Sequence, residues 1–492
     1  MKLNRTLFSV VFLSLIESVI LFTPIAHFGH SIAMHDDRLY FFGGFIIDPI
    51  DNTAKSTNDL FYLDLSVEFD LDSEEGLPFV DLTNKSGIPV KSSWSTGSLG
   101  GNFFSTFYLI GGIMKDFYTY EDVNDSVIYA YDLKTEQWSI PEFIVIDNNR
   151  NEVDLINESK LLRQDYIQRI VGAQSVHDEL GKIYVFGGMQ YPNTNVKFGD
   201  LIIFDSKNMI WNIYNGGEFL HTRVGYTATL LPNGIIIYIG GFLDDLGNSG
   251  NLTLVEMNHI WIFETSTQKW VLETAQGERI VGRYYHTSVL TFDSRIIVYG
   301  GITTAKHAAS PDIVVLDTTV YPLQWIIPEV GEENKPPSRA SHSAISVGKY
   351  MLIAFGNLTS ETSTPSSPAS DINVLDTTSF EWVTKYYPRS QNSDYPSIQN
   401  DGFSIGMSST VCIVVSISII VGVIKLADFG LSKRIEAISS QSKVFGVIPY
   451  IDQKRFDKRR KNDNISQPYT LNEKSEEYDV GLAIEILQGL RE

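Results

Sequence analysis

Short apolar runs that close on glycine recur along most of this chain. They read Leu39-Tyr40-Phe41-Phe42-Gly43-Gly44, Phe107-Tyr108-Leu109-Ile110-Gly111-Gly112, Ile183-Tyr184-Val185-Phe186-Gly187-Gly188, Ile236-Ile237-Tyr238-Ile239-Gly240-Gly241, Ile296-Ile297-Val298-Tyr299-Gly300-Gly301 and Met351-Leu352-Ile353-Ala354-Phe355-Gly356. In the last copy Asn357 stands where the second glycine is expected. Runs this short, rich in β-branched and aromatic residues and ended by glycine, predict strands rather than helices. Each is followed by a second strand ending in an acidic residue, at Asp64, Asp132, Asp205, Glu264, Asp317 and Asp376. A tryptophan comes six residues later at Trp138, Trp211, Trp270 and Trp382, or eight later at Trp325, and the first copy has none. Upstream, further strands open with His30-Ser31, Tyr226-Thr227, His286-Thr287 and His342-Ser343, which makes four strands per unit. The intervals run from 53 to 76 residues, so a fixed unit carries insertions of variable length.

The glycine pair, the acidic turn and the tryptophan, in this order and spacing, resemble the kelch repeat of the galactose oxidase and kelch superfamily across residues 28–388. The resemblance implies an all-β fold, a propeller of six blades, or of seven if a diverged unit lies within Pro141 to Gln168. The glycines and tryptophans are read as architecture: glycine permits close backbone approach, and the indole offers an apolar plate between successive sheets. His30, His286 and His342 sit at equivalent places in different blades. The ring is expected to separate them, so structural hydrogen bonding rather than metal ligation is their assigned role. Recognition falls to the insertions Phe45 to Thr57, Met114 to Asn124, Pro141 to Gln168, Phe242 to Asn258 and Asn357 to Ser370, because loops on a rigid scaffold carry it. The carboxylates in Tyr120 to Asp125 and Asp244-Asp245 are read as solvated loop charge in preference to a cation site.

Charge narrows the partners. The formal net charge is -21, and residues 1–401 hold 26 Lys+Arg against 48 Asp+Glu, while residues 425–492 hold 12 against 11. An acidic surface repels phosphate backbones, which argues against nucleic acid partners. The single cysteine, Cys412, lies in an apolar run, so neither an intrachain disulfide nor a cysteine-based metal site can form. The copper oxidation found in the superfamily needs a tyrosine modified by a cysteine sulfur, and the position of Cys412 argues against that activity here.

Lys2 and Arg5 precede an apolar stretch from Leu7 to Ile25, the order of a secretory signal, and residues 1–27 are read as a signal peptide or an uncleaved signal anchor. Residues 402–424 carry no formal charge, and about 20 residues suffice to cross a bilayer, so they are read as one transmembrane helix after a linker at 389–401. Lys425, Lys433 and Arg434 follow and favour a cytoplasmic C-terminal side, with the propeller extracellular or lumenal. Asn84, Asn124, Asn157, Asn251 and Asn357 begin N-x-S/T sequons and suit a glycosylated ectodomain; Asn464 begins another on the far side.

After the apolar run, Asp428-Phe429-Gly430 is similar to the Mg-binding segment of protein kinases. Phe445-Gly446-Val447-Ile448-Pro449-Tyr450, Asn472-Glu473-Lys474-Ser475 and Tyr478-Asp479-Val480-Gly481 resemble the end of an activation segment and the opening of the C-lobe. No Gly-rich loop, strand lysine or H-R-D loop precedes Asp428, so residues 425–492 read as a partial kinase-like fragment. No cofactor is expected, since ATP and Mg would bind only if the fragment were complete. A gene fusion, a truncated duplicate or a gene-model join near Val423 accounts for the juxtaposition. The function expected is therefore recognition of a protein or glycan at the cell surface, with a truncated receptor-like kinase as the alternative.

Overall fold

The computed structural model describes residues 22–123, 126–147, 161–162, 169–191, 199–215, 223–244, 252–362 and 367–388. Outside them lie most of the signal-like start, the linker 389–401, the apolar run 402–424 and the fragment 425–492 with Asp428, Phe429 and Gly430, together with Asn124, Asn157 and Asn251. Among the described residues no helix is long and apolar enough to cross a membrane.

The described residues form a six-bladed propeller. In blade 1, Ser31–His35, Arg38–Phe42, Leu60–Asp64 and Phe79–Asp81 pair antiparallel in chain order from the axis outwards. The same meander is built on the glycine-ended strands Thr106–Ile110, Lys182–Phe186, Ile235–Ile239, Arg295–Tyr299 and Tyr350–Ala354. The described part of Pro141 to Gln168 adds no seventh blade. Its described strand Ile144–Asp147 runs parallel to Ile210–Asn215, with Val145 opposite Trp211, and Leu161–Leu162 pairs beyond it. Gln276–Gly277 lies likewise along Gln324–Ile326 in blade 5. Both additions cover the outer edge of a sheet, where unpaired backbone groups would otherwise invite another chain.

The core is divided among the blade interfaces, with one apolar cluster between each neighbouring pair and one joining blade 6 to blade 1. Trp211, Trp325 and Trp382 are buried there, whereas Trp138 and Trp270 are half-buried. Trp325 Nε1 donates to Met257 O at 2.8 Å and Trp138 Nε1 to Ser86 O at 2.8 Å, so two of the plates also pin one blade to the previous one. The first blade has a replacement for its missing tryptophan. Phe79 faces Leu63 across the outer pair, as Trp138 faces Tyr131 and Trp211 faces Phe204, and it is buried in the cluster that closes the ring. It was hidden because residues 65–78 delay the outer strand.

The glycine pairs make the seams. The second glycine of each pair donates its N–H to a carbonyl of the next blade: Gly44 to Ser92 (2.8 Å), Gly112 to Ile170 (2.7 Å), Gly188 to Arg223 (2.9 Å), Gly241 to Arg283 (2.9 Å) and Gly301 to Arg339 (2.9 Å). Both glycines have positive φ, and a Cβ on Gly43, Gly111 or Gly300 would come within 2.4 Å of such a carbonyl. The sixth copy corrects the sequence alignment. Gly356 occupies the second position, with φ 88° and its N–H on His27 O at 2.8 Å, and Phe355, φ 59°, replaces the first glycine rather than Asn357 the second. The buried Phe355 ring packs on Phe41, Phe61 and His30, contacts that over-determine a backbone conformation a non-glycine rarely adopts.

Candidate functional site

The meander sorts the connections by end. Antiparallel pairing puts the start of each inner strand, the glycine pair and the exit of the outer strand at one end of the ring, and the tight acidic turns at the other. Insertions that follow a glycine pair therefore share one end, although they are far apart in sequence. Phe45–Ile47 pairs with Ala54–Ser56, Lys91–Ser93 with Ile113–Lys115, Arg169–Val171 with Met189–Tyr191, Phe242–Asp244 with Leu252–Leu254, and Arg339–Ala340 with Asn357–Leu358. These short pairs form a collar around the axis.

Inside the collar the axis is closed by backbone. Gly29, Trp94, Gly172, Gly225, Tyr285 and Ser341, one per blade, all have φ between 52° and 70°. Each donates its N–H to the carbonyl of the equivalent residue on the preceding blade: Trp94 to Gly29 (2.8 Å), Gly172 to Trp94 (3.4 Å), Gly225 to Gly172 (3.1 Å), Tyr285 to Gly225 (2.8 Å), Ser341 to Tyr285 (2.9 Å) and Gly29 to Ser341 (3.0 Å). The left-handed conformation turns the peptide groups sideways, so six bonds close into a cycle. Trp94 and Tyr285 come from opposite blades, and their rings meet at 4.6 Å over the axis. A Cβ on Gly29 would lie 3.2 Å from the Trp94 ring and one on Gly225 2.8 Å from Tyr285, so these glycines make room for the aromatic plug.

Beside this cycle lies a cavity of about 70 Å³, lined in part by His30, His286 and His342. The ring does not separate the three histidines as expected; blades 5, 6 and 1 are neighbours and bring them to one cavity. Each makes one hydrogen bond to a hydroxyl of the preceding blade. His286 Nε2 bonds Thr227 Oγ1 at 3.3 Å, His342 Nε2 bonds Thr287 Oγ1 at 2.7 Å and His30 Nε2 bonds Ser343 Oγ at 2.8 Å, each across a blade seam. Burial pushes His30 and His286 down to about 3 and His342 well below its usual value. They are neutral imidazoles at neutral pH. Among the described residues no group of three or more His, Cys, Asp or Glu is placed to hold a metal ion.

The collar carries its own charge pairs. Lys55 Nζ lies 2.6 Å from Asp48 and 2.7 Å from Asp51, and this bond with those from Thr53 holds the Asp51 carboxyl down at about 2. Asp122 accepts from Lys115 (2.8 Å) and Tyr191 (2.6 Å), which occupies the carboxylate considered for a cation. Ser56 N donates to Tyr120 Oη at 2.6 Å and ties the first collar hairpin to the second insertion. Lys91 Nζ sits 5.5 Å from the centre of the Phe117 ring and 5.2 Å from that of Tyr120. At the tips of these tied insertions Ile50 is 92% exposed and Tyr118 90%.

Of the sequons within the described residues, Asn84 is exposed on the short helix Thr83–Ser86. Asn357 is half-buried, paired with Ala340, and Thr359 of its sequon is buried. The axial cycle escaped the sequence reading, although a signal was present. Arg223, Arg283 and Arg339 each stand two residues before a cycle position, as Arg223-Val224-Gly225, Arg283-Tyr284-Tyr285 and Arg339-Ala340-Ser341. All three are buried; Arg339 holds Asp371 with two bonds of 3.0 Å, and Arg283 donates to Gly300 O and Pro311 O.

Six four-stranded blades with glycine-pair seams define a kelch-type β-propeller, a class of protein-interaction module. The chain belongs to the attractin/LZTR1 β-propeller family, which it matches over residues 107–421. That match begins within blade 2 and runs on into the apolar stretch 402–424. A kelch repeat-containing protein of Arthroderma benhamiae is 23% identical over 72% of this chain and 56% of its own length. Kelch domain-containing protein 3 of Rattus norvegicus is 25% identical over 36% of this chain and 40% of its own. The chain thus spans about half the length of these relatives. A solved structure titled "Structure of YjhT" aligns with a TM-score of 0.45 and 14% identity, over 72% of this chain and 96% of that one.

Proposed function

We propose that this propeller binds a protein partner through the collar end, and that residues 402–424 hold it at a membrane. The observation that supports the binding reading is the pair Ile50 and Tyr118: large apolar side chains, almost fully exposed, on insertions braced against each other by Tyr120. Aromatic and aliphatic anchors held on a rigid support are what protein interfaces concentrate their energy in. The sealed axis supports surface contact rather than a ligand threaded through the ring.

The test is quantitative cross-linking and co-purification from the source cell with the intact chain. An Ile50→Asp/Tyr118→Ala variant is expected to lose a specific partner by tenfold or more, at unchanged unfolding temperature. Phe103→Ala, which removes an 87% exposed ring in a turn at the opposite end, serves as control and retains the partner. Equal retention by both variants rules out the collar tips as the contact.

The membrane reading has a separate check. Material made in a eukaryotic secretory pathway is expected to lose apparent mass on enzymatic deglycosylation. Asn84→Gln should remove part of that loss and Asn357→Gln little, because the Asn357 backbone is committed to a strand pair. Sugar at Asn464 would reverse the proposed orientation.

A further inference from the structure

Six sheets present six outer edges, and the chain protects five of them. The outer strands Phe79–Asp81, Gln137–Ser139 and Glu381–Val383 are three residues each, too short to template a long pairing. Ile210–Asn215 and Gln324–Ile326 are covered by the parallel strands described above. Lys269–Thr274 in blade 4 has neither protection. Its six residues all pair with His259–Glu264 on the inner side, and among the described residues no strand or backbone hydrogen bond engages its outer side.

This edge is apolar at its centre and charged towards its ends. Val271 and Leu272, on opposite faces, are 45% and 47% exposed, while Lys269 is exposed and Glu273 half-buried. Tyr321 of blade 5, 81% exposed, donates to Glu273 Oε2 at 3.4 Å and widens the apolar patch beside the strand.

The strand is complementary to itself. Residues opposite each other in an antiparallel pair share one hydrogen-bonding state, so a strand that meets its own copy about a two-fold axis must place a residue on that axis rather than the gap between two. With Val271 on the axis, Trp270 faces Leu272 and Lys269 faces Glu273, and the symmetry gives each of these pairs twice. Centred on Trp270, the strand would set Lys269 against Val271; centred on Leu272, it would set Glu273 against Val271. The charges therefore select the register with Val271 at its centre, where opposite charges meet and apolar residues meet.

We propose that the outer edge of blade 4 pairs antiparallel with the same edge of a second copy of this chain, joining two four-stranded sheets into one. A seam of one strand pair is smaller than the interface of a permanent dimer, so the association is reversible and depends on concentration. It uses the outer wall of the ring and not the collar tips. Failure of the collar reading does not touch it, and Ile50→Asp/Tyr118→Ala leaves it intact.

Sedimentation velocity of the purified full chain in detergent, over a range of concentrations, reads the monomer–dimer equilibrium. Lys269→Glu sets like charges opposite each other twice in the dimer and is expected to weaken it about tenfold or more, and Glu273→Lys to do the same. The two variants change the net charge in opposite directions, so long-range repulsion between copies cannot account for a common effect. Lys269→Glu/Glu273→Lys restores both opposite-charge pairs and is expected to return the dissociation constant to within about threefold of that of the unaltered chain. Neither side chain is buried in a blade interface, so the variants leave the ring folded. A dimer that ignores the single reversals, or one that the double reversal fails to restore, would overturn the proposal. So would a chain that stays monomeric at every concentration, which would leave this edge to a strand of another protein.

Discussion

Acidification is expected to loosen the ring between pH 6.5 and about 4, before most carboxylates titrate. His286 and His342 are buried at the seams between blades 4, 5 and 6, and His30, whose ring is partly covered, lies at the seam that closes blade 6 on blade 1. Burial is the main cause of their lowered pKa values, and the charges that act on them, Arg283, Arg339, His27 and one another, all oppose a further positive charge. The folded pKa lies below the unfolded one, so the unfolded chain binds more protons. Stability is therefore fully present above pH 6.5 and is lost as pH falls towards about 3. The loss is about 1.4 kcal/mol per pH unit for each fully buried histidine, so His286 and His342 together approach about 3 kcal/mol per unit. Against a total of about 5–15 kcal/mol for a typical fold, that is enough to produce an acid transition. The measurement is the urea midpoint as a function of pH. Replacing the three histidines by Gln, which keeps a polar group facing each seam hydroxyl, should flatten the profile above pH 4.5. A profile that keeps its slope in that variant would assign the acid sensitivity to other groups.

Trp211→Ala is expected to destabilise the propeller by about 3–5 kcal/mol, the range for a large aromatic removed from a packed core. Its ring is 1% exposed, sits between blades 2 and 3 and touches Phe143 and Phe204. Trp270→Ala should be milder. That ring occupies the equivalent strand position, opposite Phe263, yet it is half-buried on an outer strand beyond which no further strand is added among the described residues. Trp211→Phe should recover most of the loss, because among the described residues the buried Nε1–H of Trp211 has no acceptor, so its removal leaves no described polar group stranded. Denaturant unfolding of the three variants checks the order. Equal losses at Trp211 and Trp270 would show that the added strand Ile144–Asp147 contributes nothing to the packing of blade 3.

The repeat was legible because it obeys local rules. A strand that ends in left-handed backbone selects glycine, and a tight turn between two strands selects an acid whose carboxylate caps the following N–H groups, as Asp132 does for Lys134 and Thr135. Those preferences act within a few residues, so they are written at constant spacing. In the sixth copy, where a neighbouring blade holds the unusual residue in place, the second glycine position was assigned one residue too late, and in the first copy the counterpart of the tryptophan lies outside the constant spacing. Phe355 stands in a glycine position because Phe41 and Phe61 of blade 1 hold it there, and Phe79 does a tryptophan's work after a long connection.

Sequence by itself thus determined the all-β class, the repeating four-strand unit and the acidic character of the surface, since each follows from residue type and near neighbours. Tertiary structure alone decided which loops share an end, that three histidines from successive blades line one cavity, and that six separate residues close a hydrogen-bonded cycle around the axis. The physical reason is ring closure. It brings together residues as distant in sequence as Gly29 and Ser341, whose N–H and C=O have no local reason to meet until every blade between them is in place.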